Sequence, residues 1–224
     1  MFPFFFNMKR PLSIKGYRIV IIYGFDFALG ECLNPMKPYT LLFLLVFVNS
    51  ISAQQNYIGD SKFRKFGPRN GNLDSASRNP SKESPDSKVV KYDRSNSVSY
   101  DNIKIYPNRK LTNIEQYATY EGNPPKISLN LYSTAPVGTK VEIQLGKKGD
   151  DNYPSGVHSQ YEAYTTRQNE WERLTFKFSQ MPKGSKVKPT EVDKITLLFS
   201  PNSQSGDTYY FDDLNGPPMV AEQK

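Results

Sequence analysis

Histidine, tryptophan and cysteine occur once each in the 224 residues, as His158, Trp171 and Cys32. These scarcities exclude a good deal of chemistry. One cysteine forms no intrachain disulfide and no multi-thiolate zinc site. A lone histidine, without a G-x-S-x-G, H-E-x-x-H or glycine-rich phosphate-loop pattern around it, removes the hydrolases, metalloproteases and nucleotide enzymes built on those motifs. The apolar run Leu41 to Val48 is too short to cross a bilayer.

That run has a setting of its own. Met36-Lys37-Pro38-Tyr39-Thr40 precedes it and Asn49-Ser50-Ile51-Ser52-Ala53 follows it. A basic start, a short apolar centre and a small residue at the end make a secretory signal peptide, with cleavage expected after Ala53. Residues 1–35 then read as an upstream extension from a start codon placed too early. The alternative is a first membrane or signal segment near Arg18–Leu29, which Gly24, Asp26, Gly30 and Glu31 interrupt.

Starting at Met36 changes the inventory. The only cysteine falls in the discarded stretch, so a thiol nucleophile goes with it. Removing the five Lys/Arg and two Asp/Glu of residues 1–53 from totals of 29 and 22 leaves 24 against 20, a net of about +4. The lysines and arginines are scattered, so nucleic acid is not an expected partner. No membrane insertion is expected after cleavage, and a monomer in the periplasm, at the cell surface or in the medium is the default.

What remains is patterned for strands. Residues 54–86 are rich in Ser, Asn, Pro, Lys and Gly and read as loop with one short strand. From 87 to 218 the period is two. Ile127, Leu129 and Leu131 alternate with Ser128, Asn130 and Tyr132, and Val141, Ile143 and Leu145 alternate with Lys140, Glu142 and Gln144. Further runs are Val89–Tyr92, Ile103–Tyr106, Tyr161–Thr165, Leu174–Phe178, Ile195–Phe199 and Tyr209–Leu214. Turn signals separate them at Asn123-Pro124-Pro125, Ala135–Gly138, Gly149–Asn152, Pro182–Gly184 and Ser205–Asp207. With no helix-length segment, this predicts an all-β jelly-roll sandwich, followed by a tail at 219–224.

Candidate binding residues come from the polar strand faces and nearby loops: Asn130, Glu142, Gln144, Glu162 and Tyr164 on strands, Tyr153 and His158 in a loop, and Trp171 at a strand entry. Sugars stack their C–H faces on aromatic rings while planar polar groups take their hydroxyls, and the 15 tyrosines beside amides and carboxylates suit that. Trp171 has two readings, a ligand platform or a cover for the core edge. Glu142 and Glu162 could face each other as a glycosidase pair does, or as surface carboxylates beside lysines. The adjacent Asp212 and Asp213 are candidates for a hard cation or for solvation at a strand end.

Several phrases go further: Lys88–Arg94, Tyr132–Thr139, Tyr161–Thr166, Trp171–Phe176 and Tyr209–Leu214. With them, the segment from Lys88 to Pro217 resembles the galactose-binding-like, carbohydrate-binding-module jelly rolls common in secreted proteins of Bacteroidetes. The resemblance implies a non-catalytic accessory module whose partner is a polysaccharide or other glycan. It also implies a structural calcium held by an aspartate of the terminal strand, which falls on Asp212. A structural or protein-interaction sandwich at the cell surface is the second class of function, and a small polysaccharide-degrading enzyme the third.

Overall fold

The computed structural model describes residues 13–14, 17–18, 55–57, 65–67, 69–84, 86–118 and 127–221. The signal segment 36–53, Cys32 and the turn signal at 123–125 lie outside them. Two compact units are present, Met1–Val48 and Asn49–Lys224. In the first, β1 (Ser13–Ile14) pairs with β2 (Tyr17–Arg18) in antiparallel register.

The second unit is all-β. Its strands are β3 (Gln55–Asn56), β4 (Lys65–Phe66), β5 (Asn72–Arg78), β6 (Lys88–Asp93), β7 (Ile103–Tyr106), β8 (Ile127–Ser133), β9 (Lys140–Gly146), β10 (Val157–Tyr164), β11 (Trp171–Gln180), β12 (Lys194–Phe199) and β13 (Thr208–Gly216). Among the described residues, the helical structure is the single turn α1 (Ile114–Tyr117) and a 3₁₀ turn at Pro189–Glu191. The strands form one antiparallel ladder, β4-β7-β12-β9-β10-β11-β8-β13-β6-β5, with β3 on β13.

β11 makes the ladder a jelly-roll sandwich. Its first six residues, Trp171 to Phe176, pair with β8, and Lys177 to Gln180 pair with β10. One ten-residue strand therefore passes from one layer to the other, and the sheet curls over its own apolar side. Alternation supplies that side: Leu129 and Leu131, Val141, Ile143 and Leu145, Leu174 and Phe176, Tyr209 and Phe211 all point inward and are buried. The layers meet where Phe199 of β12 stacks on Tyr209 of β13, with centroids 4.2 Å apart and planes 9° from parallel. Phe211 packs on the same ring at 5.6 Å. The predicted turns at Gly138, Gly149 and Gly184 hold φ of +87°, +86° and +95°, a region that favours glycine.

One expectation needs correction. Residues 54–86 hold a seven-residue edge strand, β5, in which only Leu73 packs on the core. A polar edge strand carries no apolar alternation, and its charged residues blunt an otherwise open edge. The same stretch also supplies Tyr57, fully buried, whose N–H donates to Leu214 O at 2.7 Å and whose hydroxyl donates to Pro217 O.

Candidate functional site

The outward rows of β9 and β10 lie side by side, with Gln144 opposite Gln160, Glu142 opposite Glu162 and Lys140 opposite Tyr164. β11 continues the face, placing Gln180 opposite Gln160 and Lys177 opposite Glu162. β12 extends it on the other side with Thr196 beside Gln144 and Leu198 beside Glu142. Thr196, Leu198, Glu142 and Gln160 are buried although their row points away from the core, so the middle of this face is sunk below its rim.

Glu142 is the hub. Its Oε1 accepts from Gln144 Nε2 at 2.8 Å and from Gln160 Nε2 at 2.7 Å. Gln160 Oε1 in turn accepts from Gln180 Nε2 at 2.7 Å and from the Tyr153 hydroxyl at 3.3 Å. Lys140 Nζ lies 3.3 Å from Glu142 Oε2 and 2.8 Å from Glu162 Oε2. Partial burial pulls the Lys140 ammonium down, but the hydrogen bond from it to Glu162 and the charges of both carboxylates outweigh that and hold it above the usual lysine range. The result is a layer of amide and carboxylate groups fixed in one orientation by their own hydrogen bonds.

Two rings stand at the margins of this layer. Tyr164 is 52% exposed and Tyr153 59% exposed. Tyr153 sits on the β9–β10 loop, which β12 pins from below. The buried Lys194 Nζ donates to Asp150 O at 2.5 Å and to Asp151 Oδ1 at 2.9 Å, and Lys104 Nζ donates to Asp151 Oδ2 at 2.8 Å. Gln160, which touches Tyr153, and Tyr164 are four residues apart on one strand, about 13 Å.

The structure thus gathers Glu142, Gln144, Glu162, Tyr164 and Tyr153 on one face. Asn130 and Trp171 are elsewhere, on the outer face of the other layer. Asn130 Nδ2 donates to Asp213 Oδ2 at 2.9 Å. Trp171 lies edge-on to Tyr132, which lies edge-on to Tyr210, with centroids 5.9 and 5.8 Å apart. The indole Nε1 donates to Asn79 Oδ1 at 3.0 Å. Ring contacts and this bond tie the half-buried Trp171 to the outer face of that layer.

His158 also leaves the set. It belongs to β10 rather than to a loop, is 1% exposed, and its two ring nitrogens have no hydrogen-bond partner among the described residues. A register shift between Val157 and Ser159 turns it off the polar row. Burial holds its imidazole below the usual histidine range, with Glu115 acting weakly in the opposite direction. The unfolded chain takes up a proton near pH 6.5 and the native state does not. Stability is therefore level above that pH and falls as pH drops below it, by up to about 1.4 kcal/mol per unit until the depressed native value is reached. Urea midpoints at neutral and mildly acid pH should show this slope, and His158→Phe should flatten it; equal slopes in both proteins would refute it.

The aspartate pair is engaged within the fold. β13 runs through both residues to Gly216. Asp213, at φ 49°, has its carboxylate taken by the Asn56 and Asn130 amides at 2.7 and 2.9 Å, and Asp212 Oδ1 accepts the Asp213 N–H at 2.8 Å. Among the described residues, no three His, Cys, Asp or Glu side chains come together as a metal-binding group.

Sequence reasoning passed over Lys140, Gln160 and Gln180. The signal for Gln160 was present, since Gln160, Glu162 and Tyr164 alternate without a break. It required starting the strand at Val157, ahead of the residues that look apolar.

No family model and no curated protein matches the sequence. Solved structures with similarity include a family 11 carbohydrate-binding module of the cellulosomal cellulase Lic26A-Cel5E of Clostridium thermocellum, at 9% identity and TM-score 0.44, over 78% of this chain and 99% of that one. A CBM4 structure is similar at 12% identity and TM-score 0.37, over 70% and 96%. An exo-β-agarase is similar at 10% identity and TM-score 0.44, over 77% of this chain and 26% of the enzyme, so the chain spans about a quarter of that protein's length. With these TM-scores below 0.5, the fold assignment rests on the chain's own strand order and core.

Proposed function

We propose that the sandwich is a secreted, non-catalytic glycan-binding module whose site is the polar face of β9, β10 and β11. The observation that carries this reading is the Glu142-centred amide and carboxylate layer with an exposed tyrosine at each margin. Planar polar groups already held in place lose little side-chain entropy when they meet sugar hydroxyls, and the tyrosine rings offer flat apolar surface for C–H stacking. The length between the margins suits a short run of sugar rings along β10. Secretion follows from the Met36–Ala53 segment, and polysaccharide outside the cytoplasm is the partner it would meet.

Binding rather than hydrolysis is favoured by Lys140. A glycosidase needs open space between its two carboxyl groups for the scissile bond or an attacking water. Here the ammonium bridges Glu142 and Glu162.

Affinity gel electrophoresis of the purified protein through a panel of polysaccharides tests the reading. At least one should retard it, and unchanged mobility in all would sink the proposal. Tyr164→Ala and Tyr153→Ala should each weaken binding by about tenfold, the loss of one stacking ring. Retention of full affinity by both variants would move the site off this face.

A further inference from the structure

Resting on that reading, we infer that the sandwich is bivalent, with a second glycan-binding surface on the outer face of the other layer, formed by Trp171, Tyr132 and Tyr210 with Arg173, Asn130 and Asp212 beside them.

The outward row of a sheet that meets only water is ordinarily polar. Here three aromatic side chains share one row, because Trp171 of β11 stands opposite Tyr132 of β8 and Tyr132 opposite Tyr210 of β13. The ring centroids are 5.9 and 5.8 Å apart, successive planes meet at 63° and 90°, and all three residues are half-buried. The strip crosses three strands, about 10 Å. Its indole Nε1 is tied to Asn79 Oδ1 at 3.0 Å, so that ring has a fixed place before a ligand arrives.

The next outward row is polar. Arg173 stands opposite Asn130, and Asn130 opposite Asp212. The exposed Arg173 guanidinium donates to Ser128 Oγ at 2.8 Å and to Asn130 Oδ1 at 3.4 Å, and the Asn130 amide donates to Asp213 Oδ2 at 2.9 Å. β13 is irregular between Asp212 and Asn215, where Asp213 takes φ 49° and Leu214 is buried. The irregularity keeps two successive carboxylates out of the core and beside Asn130. A non-glycine residue in that region is strained, and such strain persists where surrounding contacts fix it.

The outer face therefore repeats the construction of the polar face, with aromatic rings next to planar polar groups held in orientation by their own hydrogen bonds. Its polar row carries both signs of charge and amide groups, which suits hydroxyls more than a single ionic group. A sugar chain is the occupant that uses both rows, laying C–H faces on the rings and hydroxyls on the guanidinium, amide and carboxylate. The rings are half-buried here and exposed on the polar face, so this surface is the weaker of the two. Two surfaces on opposite sides of one sandwich hold a polysaccharide by avidity.

Trp171 is the only tryptophan and lies on this surface alone, so its emission separates the two sites. The purified protein is titrated with the polysaccharides of the affinity-gel panel, among them xylan, mixed-linked β-glucan and alginate. A polysaccharide that retards the protein should also alter Trp171 emission, and should still do so in the Tyr153→Ala, Tyr164→Ala double variant. Arg173→Ala with Tyr210→Ala should lower affinity for that polymer by about tenfold or more through lost avidity, yet leave affinity for its tetrasaccharide unchanged. Retardation with unaltered emission for every probe overturns the second surface and leaves the polar-face reading standing. So does a dimer in light scattering that these two substitutions dissolve, since a second copy would then cover the strip. Retardation by no probe overturns both.

Discussion

Arg94→Ala is expected to cost about 3–5 kcal/mol of folding stability, close to 10 °C in melting temperature for a domain of this size. Arg94 follows β6 and is buried, with a guanidinium surrounded by carbonyl oxygens. Nε donates to Phe199 O at 2.7 Å, Nη1 to Ser95 O at 2.9 Å and Ser205 O at 2.8 Å, and Nη2 to Ser203 O at 2.7 Å, Ser99 O at 3.0 Å and Val98 O at 3.3 Å. Asp101, nearby, is occupied by the backbone amides of Ser95, Asn70 and Gly71. The cation is therefore held by backbone dipoles, and it ties the loop after β6 to the loop between β12 and β13. Alanine removes the donor those carbonyls share, at a buried contact to Phe199 O and partly buried ones to the loop carbonyls. Lysine should restore only part of the loss, because a single ammonium cannot reproduce the planar fork. Urea unfolding with an unchanged m-value measures the effect; a loss below about 1 kcal/mol would mean the loops close without the guanidinium.

The second large effect is on binding. Glu142→Ala should lower glycan affinity by about tenfold to a hundredfold at a stability cost of only about 1–2 kcal/mol. Removing the carboxylate frees the Gln144 and Gln160 amides and leaves Lys140 with Glu162 alone. The groups that meet the sugar then lose their fixed orientation, and ordering them again opposes binding. Arg94→Ala gives the contrast, since its losses lie in folding at another part of the molecule. A folded Glu142→Ala protein with undiminished affinity would place the ligand on a different surface.

Much of the fold was legible because strand alternation is a local property. Val141-Glu142-Ile143-Gln144-Leu145 shows which side chains go in and which go out before any partner is known. The regions that escaped lack that contrast. β5 packs through Leu73 alone, and Tyr57 enters the core from a segment whose composition is that of a loop. His158 follows Pro154-Ser155-Gly156, a run that reads as a turn, and a strand irregularity then buries it.

The candidate site was half legible for the same reason. Asn130 and Glu142 carry the same signature, a polar side chain between aliphatic neighbours, and both do point outward. Alternation reports the side of a strand but not the layer to which the strand belongs. β8 and β9 are joined by a short turn yet are not paired with each other; β8 joins β11 and β13, and β9 joins β10 and β12. From its sequence alone this protein was determined to be an all-β sandwich with tyrosines, amides and carboxylates on outward rows. Only the tertiary structure decided that Glu142, Gln160, Gln180 and Lys140 form one face while Asn130 and Trp171 belong to another, because pairing between strands distant in sequence sets which outward rows become neighbours.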